Sequence, residues 1–198
     1  MDEQTVRTVA LLALLAVAAV WDVRTGQIPN WLTYPAIVLG LALGVHLGAP
    51  GQPEAGWHHG LLHSLGGFAV GFVPLLAAFL LGGYGGGDAK LMGAVGAIGG
   101  AWLFALYALF YSLLASAALG VLIMIWRGQT WAVLRRVFRA LWLLMLFRRP
   151  ADPTPEQNQL MVRFAVGALI GVGWLLAEQW WGMGLWEKTA DSFDRIMR

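Results

Sequence analysis

Residues 89–126 read AKLMGAVGAIGGAWLFALYALFYSLLASAALGVLIMIW, and this stretch decides the fold. A helix crosses the hydrocarbon core of a bilayer with about 20 apolar residues, so the stretch is far too long for one crossing. Two helices joined by a turn at Gly99 and Gly100 account for it. The first of them is then short, and Gly93, Gly96 and Gly99 lie on one side of it, where small residues let helix backbones approach closely. We therefore predict a helical hairpin inside a membrane.

The other apolar runs of the chain predict four further membrane helices. The chain has 198 residues, of which 59% are hydrophobic and 12% charged, and its net charge is +2. This composition excludes intrinsic disorder and argues against nucleic-acid binding. The absence of cysteine excludes disulfides, cysteine-based zinc sites and a thiol nucleophile. We predict an all-α polytopic membrane protein, a six-transmembrane-helix bundle forming one domain over residues 1–198, with spans at approximately residues 5–21, 31–48, 61–81, 89–99, 102–126 and 160–181.

Lysine and arginine residues are concentrated on one set of loops, which the positive-inside rule places in the cytoplasm. The parity of the spans then puts both termini on the periplasmic side of the membrane. It also puts Asp22 and Asp88, which are separated by two spans, on the same cytoplasmic side. We further expect amphipathic helices in the membrane interface at residues 131–147 and 184–198. The basic residues of the cytoplasmic set are Arg24, Lys90, Arg127, Arg135, Arg136, Arg139, Arg148, Arg149 and Arg163.

Asp22 and Asp88 stand out because each lies where an apolar span meets the interface, a depth at which an ionisable group is costly and by default marks function. Asp88 follows the residues GGYGGG at 82–87, which form a poor helix and leave room for an extended peptide beside the main chain. Two carboxylates brought together share a proton. Such a pair suits amide hydrolysis, because the ionised member takes a proton from water while the protonated member polarises the scissile carbonyl.

Simpler roles account for either aspartate taken singly. Aspartate is a leading helix-capping residue, so Asp88 alone is consistent with a cap. Asp22 alone is consistent with an ion pair to Arg24 or Lys90. A glycine-rich loop also cradles phosphate in some proteins, but no Gly-Lys-Ser/Thr follows this one.

Four other ionisable residues are candidates for a metal-binding or functional site. His58, His59 and His63 cluster at the start of the third span. We expect them to form an interfacial group without a metal, because no carboxylate lies close by to serve as a third ligand. Glu178 falls late in the last span, and we expect it at the level of the outer headgroups.

Two motifs resemble those of the type IV prepilin peptidase family. Residues 83–91, GYGGGDAKL, contain the family's GxGD signature, and residues 22–30, DVRTGQIPN, resemble its first-aspartate motif, an Asp followed by a basic residue and Ile-Pro-Asn. Both motifs occur in the family's order, at the ends of spans one and four. The resemblance implies an integral aspartyl endopeptidase that removes the short basic leader from prepilins or pseudopilins at the cytoplasmic face of the bacterial inner membrane.

The resemblance also implies roles for individual residues. It makes Asp22 and Asp88 the catalytic pair and assigns Gly85 and Gly87 to the loop that shapes the site. We expect no metal and no cofactor; the expected partners are the prepilin substrate, the lipid bilayer and components of the pilus assembly machinery. The remaining residues expected to shape the site or bind substrate are Gly86, Lys90, Arg24, Pro29 and Asn30.

The chain departs from the family pattern in two places. Bifunctional members have an N-terminal segment whose paired cysteines bind zinc, and they also methylate the trimmed pilin. This chain has no cysteine and starts at the first catalytic span, so it resembles the single-domain, peptidase-only branch found with tight-adherence (Flp-type) pili. Many relatives also place a proline before an aromatic residue in the last span, where this chain has Arg163 before Phe164. We expect the packing or charge near the site to differ there.

Three other functions compete with leader cleavage. One is a presenilin-like GxGD protease that cuts within transmembrane helices, against which the Ile-Pro-Asn motif and the interfacial depth of both aspartates argue. Another is a proton-coupled transporter that uses the two carboxylates as a relay. The last is a catalytically silent assembly protein, which the two intact motifs disfavour.

Overall fold

The computed structural model describes residues 3–50, 56–81, 85–128, 135 and 163–181. The expected interfacial helices at 131–147 and 184–198 fall outside these residues, apart from Arg135, which is helical. The chain divides into one compact unit of residues 1–116 and 163–198 and a second of residues 117–162. Regular structure in the described ranges consists of helices α1 Glu3–Thr25, α2 Asn30–Leu47, α3 Trp57–Leu80, α4 Gly86–Gly99, α5 Trp102–Trp126 and α6 Phe164–Trp180.

Four of these helices, α1, α2, α3 and α5, are long and apolar enough to cross a membrane. The prediction of an all-α polytopic membrane protein is therefore confirmed. Six helices of crossing length are not found in the described ranges, because α4 has 14 residues and α6 has 17. At 1.5 Å per residue these helices measure about 21 and 26 Å, less than the roughly 30 Å of a hydrocarbon core.

Helix α4 lies at the centre of the first unit, in contact with α1, α2, α3 and α6. Every residue of α4 from 91 to 99 is buried, including its glycines. A helix that is apolar on all sides needs neighbours on all sides. Its first turn, which contains Asp88, is only partly buried. The glycine-rich motif therefore lies at the accessible end of this central helix.

Glycines bring α3 and α4 into backbone contact, as the small-residue spacing predicts. A Cβ atom on Gly96 would collide with the carbonyl oxygen of Gly67, and a Cβ on Gly71 would collide with that of Met92. The hydrophobic effect does not drive helices together inside a bilayer, so their association depends on van der Waals contact, which close approach of this kind increases. Asp88 therefore lies on a helix that is closely packed against α3.

Two glycines in the left-handed conformation follow the C-terminal ends of α1 and α4. Gly26, with φ of 71°, follows α1, and its N–H donates to the carbonyl oxygen of Asp22 at 2.8 Å. Gly100, with φ of 70°, follows α4 and turns the chain into α5 at the position that the sequence predicts. Glycine adopts this conformation without the penalty that a side chain brings.

A buried arginine joins three helices at the opposite end of α1. Arg7, only 5% exposed, donates to the carbonyl oxygens of Ile98 and Gly48, each at 2.8 Å, and its Nε lies 3.2 Å from a carboxylate oxygen of Glu3. These carbonyls belong to the last turn of α4 and to the residue that ends α2, where backbone acceptors have no partner within the helix. A positive charge also complements the negative end of each helix dipole. Arg7 therefore holds α1 against the ends of α2 and α4.

Candidate active site

Asp22 lies in the last turn of α1 and is buried, with 5% of its surface exposed. Its Oδ2 accepts a hydrogen bond from the backbone N–H of Ala165 at 3.2 Å. Ala165 is the second residue of α6, where backbone N–H groups have no acceptor within their own helix. Asp22 therefore caps the N-terminus of a helix that lies far away in the sequence, and the positive end of that helix dipole favours its negative charge.

Asp88 is the third residue of α4 and is partly buried. Its Oδ2 accepts a hydrogen bond from the N–H of Gly85 at 3.3 Å, while its own N–H donates to the carbonyl oxygen of Gly85 at 3.1 Å. The capping role that the sequence allows for Asp88 is thus present in the structure. A single backbone donor leaves most of the carboxylate's hydrogen-bonding capacity for other groups.

The electrostatics of Asp88 link the two aspartates. Burial raises the pKa of Asp88 to about 6; the negative charge of Asp22 acts in the same direction, and the hydrogen bond from Gly85 opposes both. Like charges raise a pKa in this way only when the two groups lie within electrostatic reach. Asp88 at the start of α4 therefore lies within electrostatic reach of Asp22 at the end of α1, at the end of the unit away from Arg7.

The glycines before Asp88 allow close contact with neighbouring elements. A Cβ atom on Gly87 would lie 3.1 Å from Cβ of Ile28 and 3.2 Å from its carbonyl oxygen, and one on Gly86 would lie 3.5 Å from the ring of Phe79. Ile28 is buried and belongs to the Ile-Pro-Asn segment between α1 and α2. Gly87 thus lets the two sequence motifs touch. Motif reading identified the Ile-Pro-Asn segment but missed Ile28 as its contact residue.

Lys90 binds Asn30 rather than an aspartate. Its Nζ donates to Oδ1 of Asn30 at 2.8 Å and lies 4.9 Å from the centre of the Tyr34 ring, a cation–π geometry. Pro29 precedes Asn30, the first residue of α2. Together, Pro29, Asn30, Tyr34 and Lys90 form a contact between α2 and α4 that we call the polar edge. Tyr34 was not predicted as part of this group, although it is an aromatic residue one helical turn after Asn30.

The ion pair of Asp22 with Arg24 or Lys90 that the sequence allows is not formed among the described residues. Arg24 is exposed in the last turn of α1. The cation whose charge acts on Asp22 is Arg163, which precedes α6 and whose guanidinium lies against Gly26. Arg163 therefore places a positive charge near Asp22.

Two other groups were candidates on sequence. The rings of His59 and His63 lie 4.9 Å apart, and in the part of the chain that the structure describes no three His, Cys, Asp or Glu residues are placed to hold a metal ion. Glu178 is buried rather than exposed: it accepts hydrogen bonds from Nε1 of Trp174 at 2.6 Å and from the hydroxyl of Tyr111 at 3.3 Å. A carboxylate within an apolar helix needs such donors, and the two aromatic side chains supply them.

The long apolar helices define a polytopic membrane protein, and two aspartates within electrostatic reach of each other lie at one end of its first unit. The family model of the type IV leader peptidase family matches residues 9–125, more than half of the chain. The chain belongs to this family of peptidases. The matched residues include Asp22, Asp88 and the whole polar edge, whereas Arg163 and Ala165 lie outside them. No curated protein and no solved structure matches the chain.

Proposed function

We propose that the chain is a prepilin leader peptidase in which Asp22 and Asp88 form the catalytic pair of an aspartyl endopeptidase. The observation that carries this proposal is the contact of the two motifs, in which a Cβ atom on Gly87 would lie 3.1 Å from Ile28, together with the charge of Asp22, which acts with burial to raise the pKa of Asp88 to about 6. A carboxyl group with this pKa exchanges its proton near neutral pH, as a general acid must. Both residues lie within the part of the chain that matches the peptidase family.

In the proposed reaction, the pair holds one proton and binds one water. Ionised Asp22 takes a proton from the water as its oxygen attacks the scissile carbonyl carbon, and Asp88 gives its proton to the carbonyl oxygen. When the tetrahedral intermediate collapses, the C–N bond breaks, the leaving amine takes the proton from Asp22, and the carbonyl re-forms as its proton returns to Asp88. The pair ends in its starting state.

The open side of the site suits an extended peptide as substrate. Gly86 and Gly87 pack against Phe79 and Ile28, whereas Gly85 is exposed, and its exposed side leaves space for a peptide main chain close to Asp88. We propose that this space takes the unwound junction between the basic leader and the hydrophobic helix of a prepilin or pseudopilin. The hydrophobic helix stays in the bilayer beside the enzyme.

We also propose the membrane arrangement that the charge distribution predicts. All six helices cross or enter the bilayer, α4 and α6 as short elements among longer neighbours. The site then faces the cytoplasm at the inner membrane, with both termini periplasmic. Components of the pilus assembly machinery are further candidate partners on the basic cytoplasmic side.

Single replacement of each aspartate tests the proposed pair. Asp22→Asn or Asp88→Asn, co-expressed with a prepilin, is expected to lower leader removal by at least about a hundredfold, because a positioned acid or base contributes this much or more. Asp152→Asn, at an aspartate outside both motifs, is the matched control and retains processing. Full processing by either Asp22→Asn or Asp88→Asn would overturn the assignment.

Mapping of the cleaved bond separates leader cleavage from the competing protease. A cut at the junction of the leader and the hydrophobic helix supports a prepilin peptidase, whereas a cut deep in an apolar span supports a presenilin-like activity. Flux driven by a pH gradient in proteoliposomes, without any peptide product, supports the transporter instead.

A further inference from the structure

The junction between α1 and α6 has a place for one guanidinium group. Arg163 is the residue that precedes α6, and its Nη1 lies against Gly26, where a Cβ atom would approach to 2.5 Å. Gly26 has φ of 71°, and its N–H donates to the carbonyl oxygen of Asp22. The left-handed glycine that ends α1 therefore also makes room for the arginine, one helical turn from Asp22.

The same junction holds the carboxylate of Asp22. Arg163 comes two residues before Ala165, whose N–H binds Oδ2 of Asp22. The backbone donor and the helix end thus contact Asp22 from the start of α6, and the charge of Arg163, just before this helix, acts on Asp22 from beside Gly26. Burial of Asp22 disfavours a negative charge on this carboxylate, and the hydrogen bond from Ala165 and the charge of Arg163 both oppose that effect.

The other charged groups around Asp22 do not duplicate this contribution. On α4, Lys90 is engaged by Asn30 and Tyr34, and Asp88 brings a like charge. On α1 itself, Arg24 is exposed and forms no ion pair with Asp22. Among the described residues, Arg163 is therefore the cation that acts on Asp22 from a neighbouring element.

Asp88 has no comparable support. Its hydrogen bond comes from one backbone N–H, and the charge that acts on it is the negative charge of Asp22. A proton shared by two carboxylates resides on the member whose charged form is less stabilised. The surroundings of the two aspartates are thus unequal in a way that separates their roles.

We propose that Arg163 is a positioning residue that keeps Asp22 ionised as the general base, so that the shared proton resides on Asp88 as the general acid. This inference rests on the proposed peptidase function. It names a residue outside the family match, and it gives the two aspartates different tasks in one reaction.

The test is the pH dependence of leader cleavage by the full-length enzyme in liposomes. Arg163→Gln removes the positive charge, so the pair is expected to hold its proton to higher pH and the alkaline limb of kcat/KM to rise by at least about half a pH unit. Arg163→Lys keeps the charge and is expected to keep the limb near that of the unchanged enzyme. Arg127→Gln, at an exposed arginine just after α5, is the matched control for loss of one charge and leaves the profile in place.

A second variant covers the case in which Arg163→Gln does not fold. Gly26→Ala leaves the arginine in the chain but displaces its guanidinium, and it is expected to move the alkaline limb in the same direction. A purely structural role for Arg163 would lower the rate equally at every pH. An unmoved limb in Arg163→Gln, or in Gly26→Ala if that is the variant that folds, would overturn the inference.

The outcome for Arg163 is distinct from the outcome for the proposed function. If the limb does not move while Asp22→Asn and Asp88→Asn still abolish cleavage, the peptidase assignment stands and the role of Arg163 is wrong. If the aspartate variants cleave normally, the peptidase assignment itself is wrong.

Discussion

Helix α1 carries a buried ionisable side chain near each end, Arg7 and Asp22, and the surroundings of the two differ. Arg7 donates to carbonyl oxygens that end α2 and α4, so a positive charge meets unpaired acceptors. Asp22 caps the N-terminus of α6 but also lies within electrostatic reach of a second carboxylate, Asp88. One end is electrostatically satisfied and joins helices, while the other end keeps like charges together. Unfavourable electrostatics of this kind is typical of sites built for chemistry rather than for stability.

The Arg7 end is expected to show the largest loss of stability. Arg7→Leu leaves the carbonyl oxygens of Ile98 and Gly48 buried without their donor, and each unsatisfied group costs about 1–3 kcal/mol. We expect the free energy of unfolding to fall by about 2–4 kcal/mol, measured by thermal or denaturant unfolding in detergent. Arg127→Leu, at an exposed arginine, is the control. An unchanged unfolding midpoint for Arg7→Leu would show that water or lipid replaces the donor.

Glycines near the two ends sharpen the contrast. Gly96→Ala forces a Cβ atom into the backbone of Gly67 and is expected to cost about 1–3 kcal/mol of stability, as overpacking does. Gly87→Ala meets Ile28 at 3.1 Å, a contact that relaxes with a small shift, so we expect a minor loss of stability and a clear loss of leader cleavage.

Gly173→Ala is the matched control for both glycine variants, since a Cβ atom there has no neighbour within 4 Å. It is expected to leave activity unchanged and to keep or slightly raise stability, because alanine favours a helix by about 1 kcal/mol over glycine. Equal losses of stability in Gly87→Ala and Gly96→Ala would contradict a difference between the two ends.

The smallest expected effect has the opposite sign to that of Arg7. The folded-state pKa of Asp88, about 6, lies above the unfolded value of 3.8, so stability falls as pH rises between these values and the ionised group destabilises the fold above them. Asp88→Asn keeps an acceptor for Gly85 and removes the charge. We expect it to raise the free energy of unfolding by about 1–2 kcal/mol at neutral pH, since one pKa unit corresponds to about 1.4 kcal/mol.

Unfolding midpoints of Asp88→Asn and the unchanged chain at pH 7 and at a pH below the unfolded pKa measure this effect. The two proteins are expected to differ at neutral pH and to converge in acid, where the carboxyl group is protonated in both states. A loss of stability at neutral pH would mean that the cap of α4 depends on the negative charge.

Much of the fold follows from local patterns in the sequence. Apolar length separates α1, α2, α3 and α5, and the excess length of residues 89–126 requires the hairpin that turns at Gly100. Small residues at 93 and 96 predict the close packing of α4. These features are readable because helix length and helix-facing periodicity depend on residues within a few turns of one another.

The candidate site was predicted in part. Its two aspartates and the Ile-Pro-Asn segment were identified from motifs and span parity, and their proximity agrees with the charge of Asp22 acting on Asp88. The alternative of an ion pair from Asp22 to Arg24 or Lys90 is not formed among the described residues, because Arg24 is exposed and Lys90 binds Asn30. Proximity in sequence suggests candidates for an ion pair, but the packing of helices decides which charge is reached.

Helix lengths, helix order and the two aspartates at span ends follow from local patterns in the sequence. What those charges contact depends on how the helices pack. The partner of Asp22 is the N–H of Ala165, 143 residues away, and one partner of Arg7 is the carbonyl oxygen of Ile98, 91 residues away. Both partners are backbone groups, which every residue carries and which no side-chain pattern marks. They become specific acceptors and donors only when packing brings a helix end, with its unpaired backbone groups, against a buried charge.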